Sequence, residues 1–235
     1  MTTIQNLRPV DLEGKKKDGF KKRTVLSYVG DAVLWVLLII MAIVEFAPIS
    51  WLFANSLRDP KVAYNLPPSF WPTDFQWINY LNVINSPNIR FMLFFLNSFK
   101  IAAAVTAGTL LTCSMAAFAF ARLKFPGKNT IFFIFLSTMM IPGTVVLIPT
   151  FIIISRMGLL DNHLALILPG LTSAFGIFLL RQQFMALPEA LMDAAKIDGA
   201  GFLRIFFTIM LPLVGPGLSA LGILTFLGSW NSLLG

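Results

Sequence analysis

Pro188-Glu189-Ala190-Leu191-Met192-Asp193-Ala194-Ala195-Lys196-Ile197-Asp198-Gly199-Ala200 is a charged, helix-forming stretch set between long apolar runs, with Leu211-Pro212 following before the next run. Its local chemistry predicts a short helix. Pro188 suits a first helical position, where its missing N–H costs nothing, and Glu189 falls in the first turn, where the helix dipole favours an anion. The helix should end at Ile197, with Asp198 as a turn residue and Gly199 in the left-handed backbone that closes it. So short a helix is not stable alone in water and must lean on something. Ala194 and Ala195 offer a small-residue surface for close packing by another protein, and Leu191 and Ile197 can fill an apolar pocket. A second helix is expected over 202–210, with Phe202, Ile205, Phe206 and Ile209 on its apolar side, before Pro212 opens the next apolar run. The rival reading of the whole segment is an amphipathic loop lying on a bilayer surface.

The surroundings set the fold class. Hydrophobic residues make up 57% of the chain, charged residues 12%, and the mean hydropathy is +0.78, which excludes an ordinary soluble domain. A bilayer crossing needs roughly 20 mostly apolar residues, and five runs qualify: 33–54, 93–121, 130–154, 164–180 and 212–230. The expected fold is all-α, a polytopic transmembrane helical bundle. The net charge of +7 carries no nucleic-acid signature, because no basic stripe is interleaved with exposed aromatics. Cys113 stands alone in an apolar run, so neither a disulfide framework nor a cysteine metal site is available. Lys15-Lys16-Lys17 and Lys21-Lys22-Arg23 precede a first run too long for a signal-peptide core, which reads as an uncleaved span.

Charge then orients the spans. With the N-terminus inside, seven Lys and Arg lie in the N-terminal arm, three in 122–128 and three in 181–204, against four outside: Arg58, Lys61, Arg90 and Arg156. The positive-inside rule places the N-terminus and the charged segment in the cytoplasm. The predicted organisation is a cytoplasmic arm (1–31), a first span (32–54), an outside loop (55–90) with Pro67-Pro68, Trp71, Pro72 and Trp77, and a core (91–235) holding a cytoplasmic loop at 181–210. Ser229-Trp230-Asn231-Ser232-Leu233-Leu234-Gly235 reads like the approach to a sixth span, and a fragment lacking its last helix is expected.

Asp193-Ala194-Ala195, Gly199, Ile209 and Leu211-Pro212 stand at the spacing of a cytoplasmic signature: a Glu-Ala-Ala triplet, three residues, Gly, nine residues, then Ile-x-Leu-Pro. On these residues the chain resembles the permease subunits of binding-protein-dependent ABC importers. Ala194-Ala195-Lys196-Ile197-Asp198-Gly199-Ala200, the stretch from Ala116 to Gly127, Met140-Ile141-Pro142-Gly143 and the stretch from Phe178 to Phe184 are most similar to the carbohydrate-uptake branch, and to its shorter permease of the maltose and glycerol-phosphate type. The resemblance covers roughly residues 45–235. Asp193 departs from the family's Glu, shortening the carboxylate's reach by one methylene. The resemblance implies a type I ABC importer permease fold and a docking element of Glu189, Leu191, Asp193, Ala194, Ala195, Ile197, Asp198, Gly199, Ile209, Leu211 and Pro212. That element would sit in a cleft of a cytoplasmic ATPase. It also implies a second, homologous permease, two ATPase subunits, and an extracytoplasmic solute-binding protein contacting the loop 55–90. This chain would bind no cofactor and hydrolyse nothing, with ATP and Mg held by the partner ATPase. In keeping with that, it has no Gly-x-x-x-x-Gly-Lys-Ser/Thr loop.

Four other residues are candidates for a solute pathway. Glu45 lies inside the first run, where an ionised carboxylate costs about 2.5–3.5 kcal/mol and faces protein or water. Pro142-Gly143, with Pro149, interrupt the third run as broken transporter helices do. Asn231 closes the fifth. Lys100 can snorkel to an interface and reads as structural. His163 has no second ligand nearby, which argues against a metal, and no nucleophile-and-base set survives the topology. Two rivals from other classes remain: an ion-coupled secondary transporter, for which Glu45 and Lys100 are thin support, and a membrane-embedded enzyme. Within the same class, a permease for a polyamine or other non-sugar solute stays open.

Overall fold

The computed structural model describes residues 25–61 and 74–232, which form helices with no strand among them. The basic N-terminal arm, the loop segment holding Pro67-Pro68, Trp71 and Pro72, and residues 233–235 lie outside the described residues. The chain divides into two compact units, one ending at Asn85 and the other beginning at Ser86.

In the first unit, α1 (Val25–Ser56) exposes large apolar side chains all round, from Tyr28 to Phe53, as a lipid-facing span does. Its last carbonyls have no partner within the helix. The returning chain ties down that end and the turn after it: Asn79 Nδ2 donates to Ser56 O at 3.1 Å and to Arg58 O at 2.7 Å, and Gln76 N–H donates to Leu57 O at 2.8 Å. Asn79 belongs to α2 (Ile78–Ile84), a short helix within the stretch expected to be loop. Seven residues are too few for a helical period to show in the sequence.

The second unit is built on α3 (Phe91–Arg122). After it come α4 (Lys128–Ser137), extended by a 3₁₀ turn to Met140, then α5 (Gly143–Arg156), α6 (His163–Gly170), α7 (Ala174–Ala186), α8 (Glu189–Ile197) and α9 (Phe202–Ile205). A π turn over Phe206–Met210 leads to α10 (Leu211–Leu213) and α11 (Gly215–Trp230). The pillar α3 packs on α6, α7 and α11. A Cβ at Gly176 would meet Cys113 Sγ and the Leu221 methyls at 3.1 Å, so α3, α7 and α11 approach one another through that glycine.

Among the described residues, α1 and α3 are the continuous helices long and apolar enough to cross a membrane; the other three expected spans are bent pairs. The third run turns by 102° between Lys128–Met140 and Gly143–Arg156. The break falls at Ile141-Pro142, where the residue before proline is pushed into extended backbone at ψ 117°. Pro149, expected to interrupt the same run, stays inside a continuous α5. The fourth run bends by 44° between α6 and α7, and the fifth by 80° between Phe202–Leu213 and Gly215–Trp230. Pro212 therefore does not open the fifth span. It lies in the short α10 before the bend, and the straight helix α11 starts at Gly215.

The α6–α7 break frees backbone groups inside an apolar bundle, and α3 meets them. Thr109 Oγ1 donates to Gly170 O at 2.6 Å, Thr112 Oγ1 donates to Leu171 O, and Ser173 N–H donates to Cys113 Sγ at 3.3 Å. An unpaired peptide group in hydrocarbon costs several kcal/mol, so these side chains make the bend tolerable.

At the other end of the unit, Phe118, Phe184 and Phe206 form a triangle with ring centroids 5.3–6.4 Å apart. It joins α3, α7 and the π turn, each such pair adding about 0.5–1.5 kcal/mol to its buried area. In the π turn, Leu211 N–H bonds to Phe206 O, five residues back. The stretch 202–210 is thus a short α-helix and a π turn, not the single helix expected. Ile205, Phe206 and Met210 are buried and Ile209 half-buried, but Phe202 is 55% exposed and off the apolar side assigned to it.

Candidate functional site

The helix α8 spans Glu189–Ile197, as its sequence predicts, with one shift: Pro188 is the N-cap in extended backbone (φ −61°, ψ 135°), and Glu189 is the first helical residue. The far end closes by a complete Schellman turn. Gly199 takes φ +75°, its N–H bonds to Lys196 O at 3.0 Å, and Ala200 N–H bonds to Ala195 O at 3.0 Å. A Cβ on Gly199 would meet nothing within 4 Å, so the backbone conformation alone asks for glycine.

One face of α8 leans on the bundle. Met192 and Ala195 are 8% and 5% exposed and join the core of Phe184, Ile205 and Phe206. Ala195 is therefore not part of an outward small-residue surface; its missing bulk lets α8 sit close to its own chain. Ile209 and Leu211 likewise pack against that core from half-buried positions, while Pro212 is exposed. The outward face carries Glu189, Leu191, Asp193, Ala194, Ile197 and Asp198. Ile197 is 86% exposed, and Phe202 and Leu203 add apolar surface beyond the turn. Asp193 pairs with Lys196 along the helix at 3.4 Å.

Two arginines lie beneath α8, one holding the backbone that leads into it and the other tying α7 to α3. Arg122, the last residue of α3, donates from Nη2 to Phe184 O at 2.6 Å and to Leu187 O, and its Nη1 lies 3.8 Å from Glu189 Oε1. Arg181 of α7 donates from Nε to Phe120 O at 3.2 Å and lies 4.2 Å from the centre of the Phe132 ring. A cation ending a long apolar helix was their only signal in the sequence.

The pathway candidates fall in separate places. Glu45 is exposed on α1 in the first unit. Pro142 and Gly143 are exposed at the α4–α5 bend, and Asn231 caps α11, donating from Nδ2 to Leu227 O at 2.9 Å. A cavity of about 410 Å³ opens instead between α3, the α6–α7 break and α11, with the hydroxyls of Thr109, Ser173, Thr225 and Ser229 in its wall. Among the described residues no three His, Cys, Asp or Glu gather within reach of one metal ion.

Residues 108–235, which include α8 and the arginine pair, match the family described as "Binding-protein-dependent transport system inner membrane component". The chain belongs to that family. It is 35% identical over 208 residues to the sn-glycerol-3-phosphate transport system permease protein UgpE of Yersinia pestis bv. Antiqua (strain Antiqua), covering 87% of this chain and 74% of that one. The namesake from Pectobacterium atrosepticum is 35% identical over 203 residues, with 85% and 72% covered. Among solved structures, a bacterial ABC transporter involved in the import of the acidic polysaccharide alginate superposes with a TM-score of 0.78 at 25% identity, covering 89% of this chain and 74% of the other. The protein is thus a multi-pass inner-membrane permease with the type I ABC importer fold, a transport subunit of a binding-protein-dependent system.

Proposed function

We propose that this permease imports a sugar or related polyol, and that α8 with its glycine turn is the element through which a separate ATPase drives it. The exposure of Leu191 and Ile197 on α8, and of Phe202 and Leu203 beyond its turn, carries the reading. Large apolar side chains left bare beside charged ones on a water-facing segment mark a protein contact. The lysine and arginine distribution puts that segment, and the N-terminus, in the cytoplasm. A second, homologous permease completes the pathway, two ATPase subunits hold the ATP and Mg, and a solute-binding protein delivers cargo at the outside stretch 55–90. The names of the similar transporters favour sugars, sugar acids and polyol phosphates as cargo.

The test is uptake of labelled solute by the complete transporter in proteoliposomes, with the ATPase active or inactivated by mutation. Uptake should require the active ATPase. Uptake that survives its inactivation and follows an ion gradient would make the protein a secondary transporter.

A further inference from the structure

Arg122 is a cation at the end of a membrane helix, yet its side chain is only 5% exposed and its Nε has no hydrogen-bond partner. Burying a guanidinium costs several kcal/mol unless its surroundings answer the charge. Among the described residues the carboxylate it pairs with, Glu189, is 3.8 Å away and 86% exposed, too wet to do so. What answers the charge is backbone: the carbonyls of Phe184 and Leu187 at the C-terminus of α7, where the helix dipole is negative. Arg181 makes the reverse contact, from α7 to the Phe120 carbonyl near the end of α3. Each helix thus grips the other's closing turn with a permanently charged guanidinium.

The linker from α7 to α8 gives this grip its consequence. It is two residues long, Leu187 and Pro188, both in extended backbone at ψ 146° and 135°. Proline fixes its own φ and restricts Leu187 before it, and Arg122 holds the Leu187 carbonyl. No slack remains between α8 and the two membrane helices. We propose that Arg122 is a positioning residue for energy coupling: its Nη2, donating to both Phe184 O and Leu187 O, makes a displacement of α8 move α3 and α7 as one body. This rests on the reading that α8 is where the ATPase docks.

The experiment uses the complete transporter in proteoliposomes and reads three quantities: ATPase co-purified with the permease, ATP hydrolysed, and solute imported. Arg122→Met should keep the ATPase bound at the wild-type level while solute imported per ATP falls at least about tenfold, since two charge-assisted hydrogen bonds are lost. Arg122→Lys keeps the charge, but its Nζ stops one bond short of the Nη2 that holds both carbonyls, and import per ATP should fall by about three- to fivefold. Unchanged import per ATP in Arg122→Lys overturns the proposal, even if Arg122→Met fails to insert. So does a lower yield of complex with an unchanged ratio, which would make Arg122 structural only. If the ATPase docks elsewhere, Gly199→Val will co-purify it and import normally; that outcome sinks the docking reading itself and is told apart from failure of the arginine grip alone.

Discussion

The two ends of α8 are built on opposite plans. At the start, Pro188 and Leu187 are stiff, Arg122 holds the backbone, and Met192 beside them is buried. At the finish, the Schellman turn satisfies itself, Ile197 is almost wholly exposed, and the space around Gly199 is empty. A helix tethered at its start by Arg122 and seated through Met192 and Ala195, with Leu191 and Ile197 left bare, suits a lever whose bare surface belongs to a partner. The difference assigns separate jobs to residues that lie side by side in one motif: Ala195 and Met192 seat the helix, while Leu191 and Ile197 are left to be covered.

The comparison breaks most sharply at Gly199. Valine at φ +75° is strained by about 1–3 kcal/mol, and its side chain meets no atom of this chain. Gly199→Val should therefore insert normally yet abolish ATP-driven uptake, measured in proteoliposomes beside membrane yield. Gly199→Asn sharpens the point, since asparagine tolerates the left-handed region. Recovery there would show that backbone shape matters, and failure would show that the partner needs the space. Next in size, Ile197→Asp at the bare end should weaken ATPase association about tenfold or more, as loss of a buried apolar contact does; titration of the ATPase against the permease in nanodiscs measures it. Met192→Ala at the seated end should act in the other way. It should lower thermal stability by about 2 kcal/mol through the cavity left against Phe184 and Phe206, with little direct effect on association. The smallest effect belongs to Asp193→Ala, whose pair with Lys196 is half-exposed and should contribute less than about 0.5 kcal/mol.

Much of this could be read from the residues. The helix from Glu189 to Ile197 and its glycine stop are written in local chemistry, and the apolar runs gave the five spans. The orientation of α8 could not be read, because Leu191, Met192, Ala195 and Ile197 spread around more than one face, and only the positions of Phe184 and Phe206 decide which face is covered. Bends were half legible. Pro142 breaks its helix and Pro149 does not, since a missing N–H disrupts a helix only where the neighbouring backbone has another path. The brace of Thr109, Thr112 and Cys113 on the α6–α7 break, and the crossed arginines, join residues about 60 positions apart. Such pairings leave no trace in the local pattern of a single sequence.

The bare end of α8 can be probed with a thiol. Cys113 is the chain's only cysteine and is buried, so Ile197→Cys adds one accessible site. Its labelling by a water-soluble maleimide should slow at least about tenfold when the ATPase is assembled on the permease, as expected of a residue sealed inside a contact. Equal labelling rates with and without the ATPase would contradict the account of α8 as the docking helix.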